Sequence, residues 1–213
     1  SSRSVEYQAV GSNIYTSTSG ARIVKFRLSD DRAWLDPSTI RIQYRIGNTS
    51  GVATENLFPL KSHGFFTRLR IMSRGSLIED IGEYNRVHEM FQNLKPDNDT
   101  KSDYLEGFKN SPNLSFPAPS TDAILDYFTK IEPSKDMVVC FHPLSGLLNQ
   151  RQYIPLSFLP IELELELSSD PIANIISKAS MTRDADKVLV SENWEISQFK
   201  ILCEQKYYSP IYN

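Results

Sequence analysis

Apolar and polar residues alternate strictly in several short stretches of the chain. In IELELEL, residues 161–167, Ile161, Leu163, Leu165 and Leu167 alternate with Glu162, Glu164 and Glu166. Successive side chains of a strand point to opposite faces, so this pattern predicts a strand with one buried face. ARIVKFRLSD places Val24, Phe26 and Leu28 opposite Lys25 and Arg27, and STIRIQYRIGN places Ile40, Ile42, Tyr44 and Ile46 opposite Arg41, Gln43 and Arg45. FFTRLRIMS puts Thr67, Leu69 and Ile71 opposite Arg68 and Arg70. Arg74-Gly75 then turns the chain into a short second strand from Leu77 to Ile81, with Gly75 supplying a positive φ. DMVVCFHPL is apolar on both faces and predicts a central strand covered on both sides. VLVSENWEISQFKILCEQKYY reads as one or two closing strands, and its alternation changes phase near Ser197-Gln198, as at a bulge.

One region changes period. In GEYNRVHEMFQNLKP, Tyr84, Val87, Phe91 and Leu94 recur at three- and four-residue spacing until Pro96. This predicts a helix over 83–94, with those four buried and Glu83 and Arg86 exposed. Residues 95–120 are polar and broken by Pro and Gly, an excursion of the length that usually serves interaction. Thr121 or Asp122 is placed to cap a short helix through Ile124, Leu125, Phe128 and Ile131 that ends at Pro133. About eight strands, long connections and no alternation of strand and helix predict an all-β fold: an eight-stranded antiparallel jelly-roll sandwich with one or two short helices in its connections. Residues 1–20 read as an extended N-terminal arm and 21–213 as a single domain.

Bulk properties narrow the function. A length of 213 residues allows one substantial core. The net charge is −3, which argues against binding nucleic acid through overall basicity. Only Arg3 and Arg22 lie in or near the arm, so no basic genome-binding arm is expected and no specific nucleic-acid site is evident. No apolar run reaches the length of a membrane helix, and SSRSVEYQAV lacks the apolar centre of a signal peptide. The sequons at Asn48, Asn98 and Asn113 therefore read as chance. Cys140 and Cys203 sit in apolar runs and read as buried free thiols, although sequence alone leaves a disulfide between them open.

Candidate chemistry is sparse. The sequence holds no Walker loop, GxGxxG, GxSxG or HExxH. His63, His88 and His142 are scattered, whereas a cupin-type metal site needs histidines clustered on adjacent strands. His88 reads as a half-buried polar residue on the helix, and His142 as the end of a strand. Glu162, Glu164 and Glu166 invite calcium binding or glycosidic acid–base work. Alternate residues on one strand face stand roughly 6.6 Å apart, too splayed for a converging cation shell. A glycosidase pair fits that spacing but needs an aromatic cleft, which their neighbours do not supply. The simpler reading pairs the glutamates with Lys25, Arg27, Arg68 and Arg70 on neighbouring strands. No catalytic, cofactor-binding or metal residue is expected, and no enzymatic activity.

Two stretches carry a resemblance. HGFFTRLRIMSRGSLIEDIGEYNRVHEMF, residues 63–91, and YIPLSFLPIELELEL, residues 153–167, resemble segments of the major capsid proteins of Polinton-like viruses, adintoviruses and virophages. The resemblance is to the first jelly roll of that double jelly-roll lineage. It implies a structural capsid protein of an icosahedral virus that self-assembles as a homotrimer and then as a lattice with other capsid proteins. It also implies a virion location, with assembly inside the host cell. Proteins of that group carry two fused rolls, and this chain has room for one. Two further readings are a single-jelly-roll coat or penton protein and a carbohydrate-binding β-sandwich, for which Tyr104, Phe108 and Phe116 are the candidate sugar-facing aromatics. In a jelly roll the glutamate strand is expected beside FFTRLRIM.

Overall fold

The computed structural model describes residues 1–20, 22–94, 128–177 and 190–207. Its strands are β1 (Ser2–Gln8), β2 (Ile14–Thr16), β3 (Ile23–Leu28), β4 (Ala33–Asn48), β5 (Phe66–Ser73), β6 (Ser76–Gly82), β7 (Asp136–Phe141), β8 (Ile154–Pro155), β9 (Ile161–Leu167) and β10 (Trp194–Tyr207). One helix, α1, spans Tyr84–Asn93. The alternating segments form two antiparallel sheets. One runs β1-β10-β4-β7, with β2 also on β10 and β8 on β4; the other runs β3-β9-β5-β6. Ten strands stand among the described residues where about eight were expected. Three of them are short or belong to the first twenty residues: β1 and β2 lie along β10, and β8 lies along β4.

The apolar sets of both sheets meet in one core. Val24, Phe26 and Leu28 of β3 face Ile40, Ile42, Tyr44 and Ile46 of β4 across it, joined by Leu69, Ile71 and the four aliphatics of β9. Tyr44 stands at its centre, with Phe66, Phe141 and Phe199 within 6.3 Å between ring centroids. Its hydroxyl donates to Ser62 O at 2.6 Å, so the buried phenol is satisfied.

Two long strands change phase, each at an irregularity. In β10 the buried series passes from Ile196 to Phe199, with Gln198 at φ 53° and the register against β4 shifted between Ser197 and Lys200. That is the bulge expected from the sequence. In β4 the series passes from Leu35 to Ile40 beside Pro37, where Thr39 Oγ1 accepts from Glu204 N at 2.9 Å. The β5–β6 turn has positive φ at both Arg74 (49°) and Gly75 (80°), as a two-residue hairpin requires.

Four expectations are corrected. Strand β7 stands at the end of its sheet among the described residues, and Val138 is 49% exposed, so it is not a central covered strand. Among the described residues that second apolar face lies at the edge of the sheet, which an apolar run alone cannot distinguish from a buried position. In β5, a register irregularity between Phe66 and Arg68 sends Phe66 into the core and leaves Thr67 half-buried. On α1 the buried residues are Tyr84, His88 and Gln92, while Phe91 is exposed and Leu94 is 75% exposed. Tyr84 anchors the helix, since its hydroxyl accepts from Leu144 N at 2.9 Å, and the positions four and eight residues on follow it inward. Ile131 forms an isolated antiparallel bridge with Leu57, and residues 128–131 are not helical. The rest of the proposed second helix, and the excursion 95–120 with Tyr104, Phe108 and Phe116, lie outside the described residues.

Candidate functional site: a charged sheet face and a histidine pair

The outer face of the β3-β9-β5-β6 sheet is built by the polar half of each alternating pattern. Strand β9 lies between β3 and β5, with Lys25 opposite Glu164, Arg27 opposite Glu162 and Arg70 opposite Glu164. Glu164 takes Lys25 Nζ at 2.5 Å on one oxygen and Arg70 NH2 at 3.3 Å on the other. Its side chain is only 8% exposed, because the two cationic chains close over it. Arg27 Nε lies 3.7 Å from Glu162. Arg68 sits opposite Glu166 in register, yet its guanidinium reaches across to β6 and donates twice to Asp80, at 2.7 and 2.6 Å. That fork holds the Asp80 carboxyl below the usual aspartate range, chiefly through the hydrogen bonds from Arg68. Arg41 and Arg45 belong to the other sheet, where Arg45 pairs with Asp136 at 3.0 Å. Glu162 and Glu164 are thus paired with cross-strand cations, and all three glutamates lie on the face opposite the apolar side of the strand.

The core side of the same strand is apolar throughout. Ile161, Leu163, Leu165 and Leu167 are all buried with Leu69 and Ile71. The expected neighbour of the glutamate strand, FFTRLRIM, is its neighbour, and the expected faces are the observed ones.

A second cluster forms beneath α1, where the sequence offered no motif. His63, on the segment between β4 and β5, and His88, on α1, bring their ring centroids to 4.0 Å. Both are buried, so His88 is not the half-buried residue expected. His63 Nε2 lies 3.3 Å from Glu89 Oε2, and Lys61 Nζ approaches Glu89 Oε1 at 4.0 Å. The nearby His63 ring is the largest influence on Glu89 and holds its carboxyl below the ordinary value. A cavity of about 840 Å³ opens beside the pair, lined by Lys61, His63, Gly64, Glu89, Met90 and Asn174. His142 is elsewhere, held by Arg41 NH1 at 2.8 Å, Ile40 O at 2.7 Å and Asn149 Oδ1. Two of the three histidines meet, then, and the third does not. Among the described residues no three His, Cys, Asp or Glu side chains gather in metal-binding geometry. The pair is separated by 25 positions in sequence, and only the docking of α1 joins it.

Both cysteines are free; Cys203 is buried, and burial pushes its thiol up to about 12. Among the described residues no helix is long and apolar enough to cross a membrane.

No family model matches the sequence, and no curated protein matches it. Solved structures do. A chain of the 3.5 Å cryo-EM structure of the Sputnik virophage matches with a TM-score of 0.62 and 11% identity, over 100% of this chain and 49% of that one. The PBCV-1 virus capsid, a quasi-atomic model, matches with a TM-score of 0.54 and 10% identity, over 98% of this chain and 42% of that one. PBCV-1 VP54 fitted into a reconstruction of the virophage Sputnik matches equally well, over 43% of its length. The chain therefore shares the fold of part of each of these chains and spans less than half the length of the chains it matches.

Proposed function

We propose that this chain is a structural subunit of an icosahedral viral capsid and forms one jelly roll of a double-roll major capsid protein. The observation that carries the reading is the coverage: nearly all of this chain aligns with under half of each matched chain, one of them from a virus capsid. A single roll against a double one gives that ratio. The two resembling stretches support it further, since residues 63–91 build β5, β6 and α1, and residues 153–167 build β8 and β9.

On this reading the chain is not an enzyme. Its partners are copies of itself, in trimers in which six rolls make a pseudo-hexameric tile, and then other capsid proteins in the shell. Its location is the virion. The pairing of β1 with β10 from Ser2 to Gln8 supports counting residues 1–20 with the roll. The self-neutralising outer sheet face suits a rigid wall more than a nucleic-acid surface. Sedimentation of the product expressed from its whole gene, at micromolar concentration, tests the reading. Trimers or larger species are expected, and a strictly monomeric product at every salt concentration would overturn it.

A further inference from the structure

We propose that the outer face of the β3-β9-β5-β6 sheet docks on the same face of a second copy of this chain, about a two-fold axis that runs along the strands between β9 and β5. Three rows of side chains cross that face. Ile23, Glu166, Arg68 and Gly82 make the first, Lys25, Glu164, Arg70 and Asp80 the second, and Arg27, Glu162, Met72 and Leu77 the third. From β3 to β6 the columns are positive, negative, positive and negative.

That order of signs is antisymmetric about the midline of the sheet. A copy turned over by the two-fold axis sets β3 against β6 and β9 against β5, so each charged column meets the opposite sign. Because the axis runs along the strands, each row meets its own row. Lys25 then faces Asp80 of the copy and Glu166 faces Arg68 of the copy, each twice by symmetry. Glu164 is covered by its own cations and adds little. In the third row the stem of Arg27 lies over the exposed Leu77 of the copy, as arginine stems cover apolar surface.

The charged groups are open to such a partner. Pairing inside one chain runs in the plane of the sheet, and the Arg27, Lys25 and Arg68 side chains remain 69%, 54% and 44% exposed. Arg68 spends Nε and NH2 on Asp80, which leaves NH1 for a second carboxylate. Half-buried Glu166 forms no ion pair among the described residues. The sign order also selects the partner. Nucleic acid, negative throughout, is repelled by two of the four columns. A slide of one strand, about 4.8 Å, brings like columns together, so the charges that attract also fix the register. The four strands are six to eight residues long. They give a patch roughly 20 Å on a side. A contact of that size belongs with small, transient interfaces, and salt screens its attraction.

Titration of trace labelled full chain with unlabelled chain, read by sedimentation velocity up to sub-millimolar concentration, tests the proposal. Wild type should associate at about 50 mM salt, and at least ten-fold more weakly at about 500 mM. Glu166→Lys sets a cation against Arg68 of the copy, and Arg68→Glu sets an anion against Glu166 of the copy. Each variant alone should associate at least ten-fold more weakly than wild type at low salt. Mixed, the two should pair with one another to within about three-fold of the wild-type affinity, because both contacts then regain opposite signs. A role inside one chain cannot produce that rescue, since mixing repairs nothing within a chain. Glu166→Gln, a smaller change on the same surface, should weaken association at least three-fold, and carries the test if a charge-reversed variant fails to fold. A wild-type chain that stays monomeric at low salt, a mixture no tighter than its components, or a Glu166→Gln chain indistinguishable from wild type would overturn the proposal. Association that ignores every one of these variants runs through other faces, so it sinks this contact and leaves the capsid reading standing.

Discussion

Leu165 and Glu164 are neighbours in sequence and stand on opposite faces of β9. Leu165 is fully buried, whereas Glu164 is covered only by Lys25 and Arg70, which themselves reach water. Truncation of a core leucine to alanine costs about 2–5 kcal/mol, and loss of a partly screened ion pair about 0–1 kcal/mol. Leu165→Ala should therefore lower the urea midpoint several times more than Glu164→Gln, and the Glu164→Gln loss should shrink in high salt. Equal losses would mean that the faces are misassigned. Gly64 makes a second residue-scale case. A Cβ there would overlap Oδ1 and Cγ of Asn174, whose side chain donates to Lys61 O at 2.7 Å and accepts from Lys61 N at 3.2 Å. Gly64→Ala must displace that amide, and should cost about 2 kcal/mol or more through the buried groups left unpaired. A neutral Gly64→Ala in denaturant unfolding would show that Asn174 does not hold this segment.

At the scale of elements, strands were legible where one face is apolar and the other charged. The faces of β3, β4 and β9 follow from alternation because burial is the only force sorting them. The phase change at Ser197-Gln198 was legible for the same reason, and Gln198 carries the φ of 53° that the bulge needs. Gln198→Gly should be neutral or stabilising, whereas Gln198→Val should lose about 1–2 kcal/mol relative to it, because a β-branched side chain resists positive φ. Thermal unfolding of both variants decides this. The helix was legible in extent and not in facing. Periodicity ranks residues by hydrophobicity, but the site that receives α1 presents His63 and the Leu144 N–H that donates to the Tyr84 hydroxyl, so His88 and Gln92 go inward with Tyr84 while Phe91 stays out. The same contact fixes a pH dependence for Glu89. Its lowered carboxyl contributes stability above the ordinary carboxylate value of about 4.3, and loses that contribution as pH falls through the lower folded value. The stability gap between wild type and Glu89→Gln, read from urea midpoints, should be wider at pH 7 than at pH 3. A gap that is the same at both would mean that the Glu89 charge is not what His63 holds.

For the whole molecule, the sandwich class was legible from strand number and the lack of strand–helix rhythm, and the pairing of β9 with β5 from the resemblance to capsid proteins. Strand order was less so. An edge position and a central one give similar apolar runs, which is why β7 read as covered. The pairing of β1 and β2 with β10 joins residues 1–20 to the far end of the chain, and no local pattern records contacts of that sequence separation. The capsid reading rests on the resemblance rather than on any side-chain pattern, because wall-forming proteins act through shape and contact area rather than through a set of reactive side chains. Electron cryo-microscopy of particles formed by the product of the whole gene tests the capsid reading most directly. The expected result is a shell in which this roll, with the glutamate strand between β3 and β5, fills one of the two positions in each subunit of a trimeric tile. Particles whose walls lack this roll, or a product that stays soluble and unassembled while the shell forms without it, would contradict it.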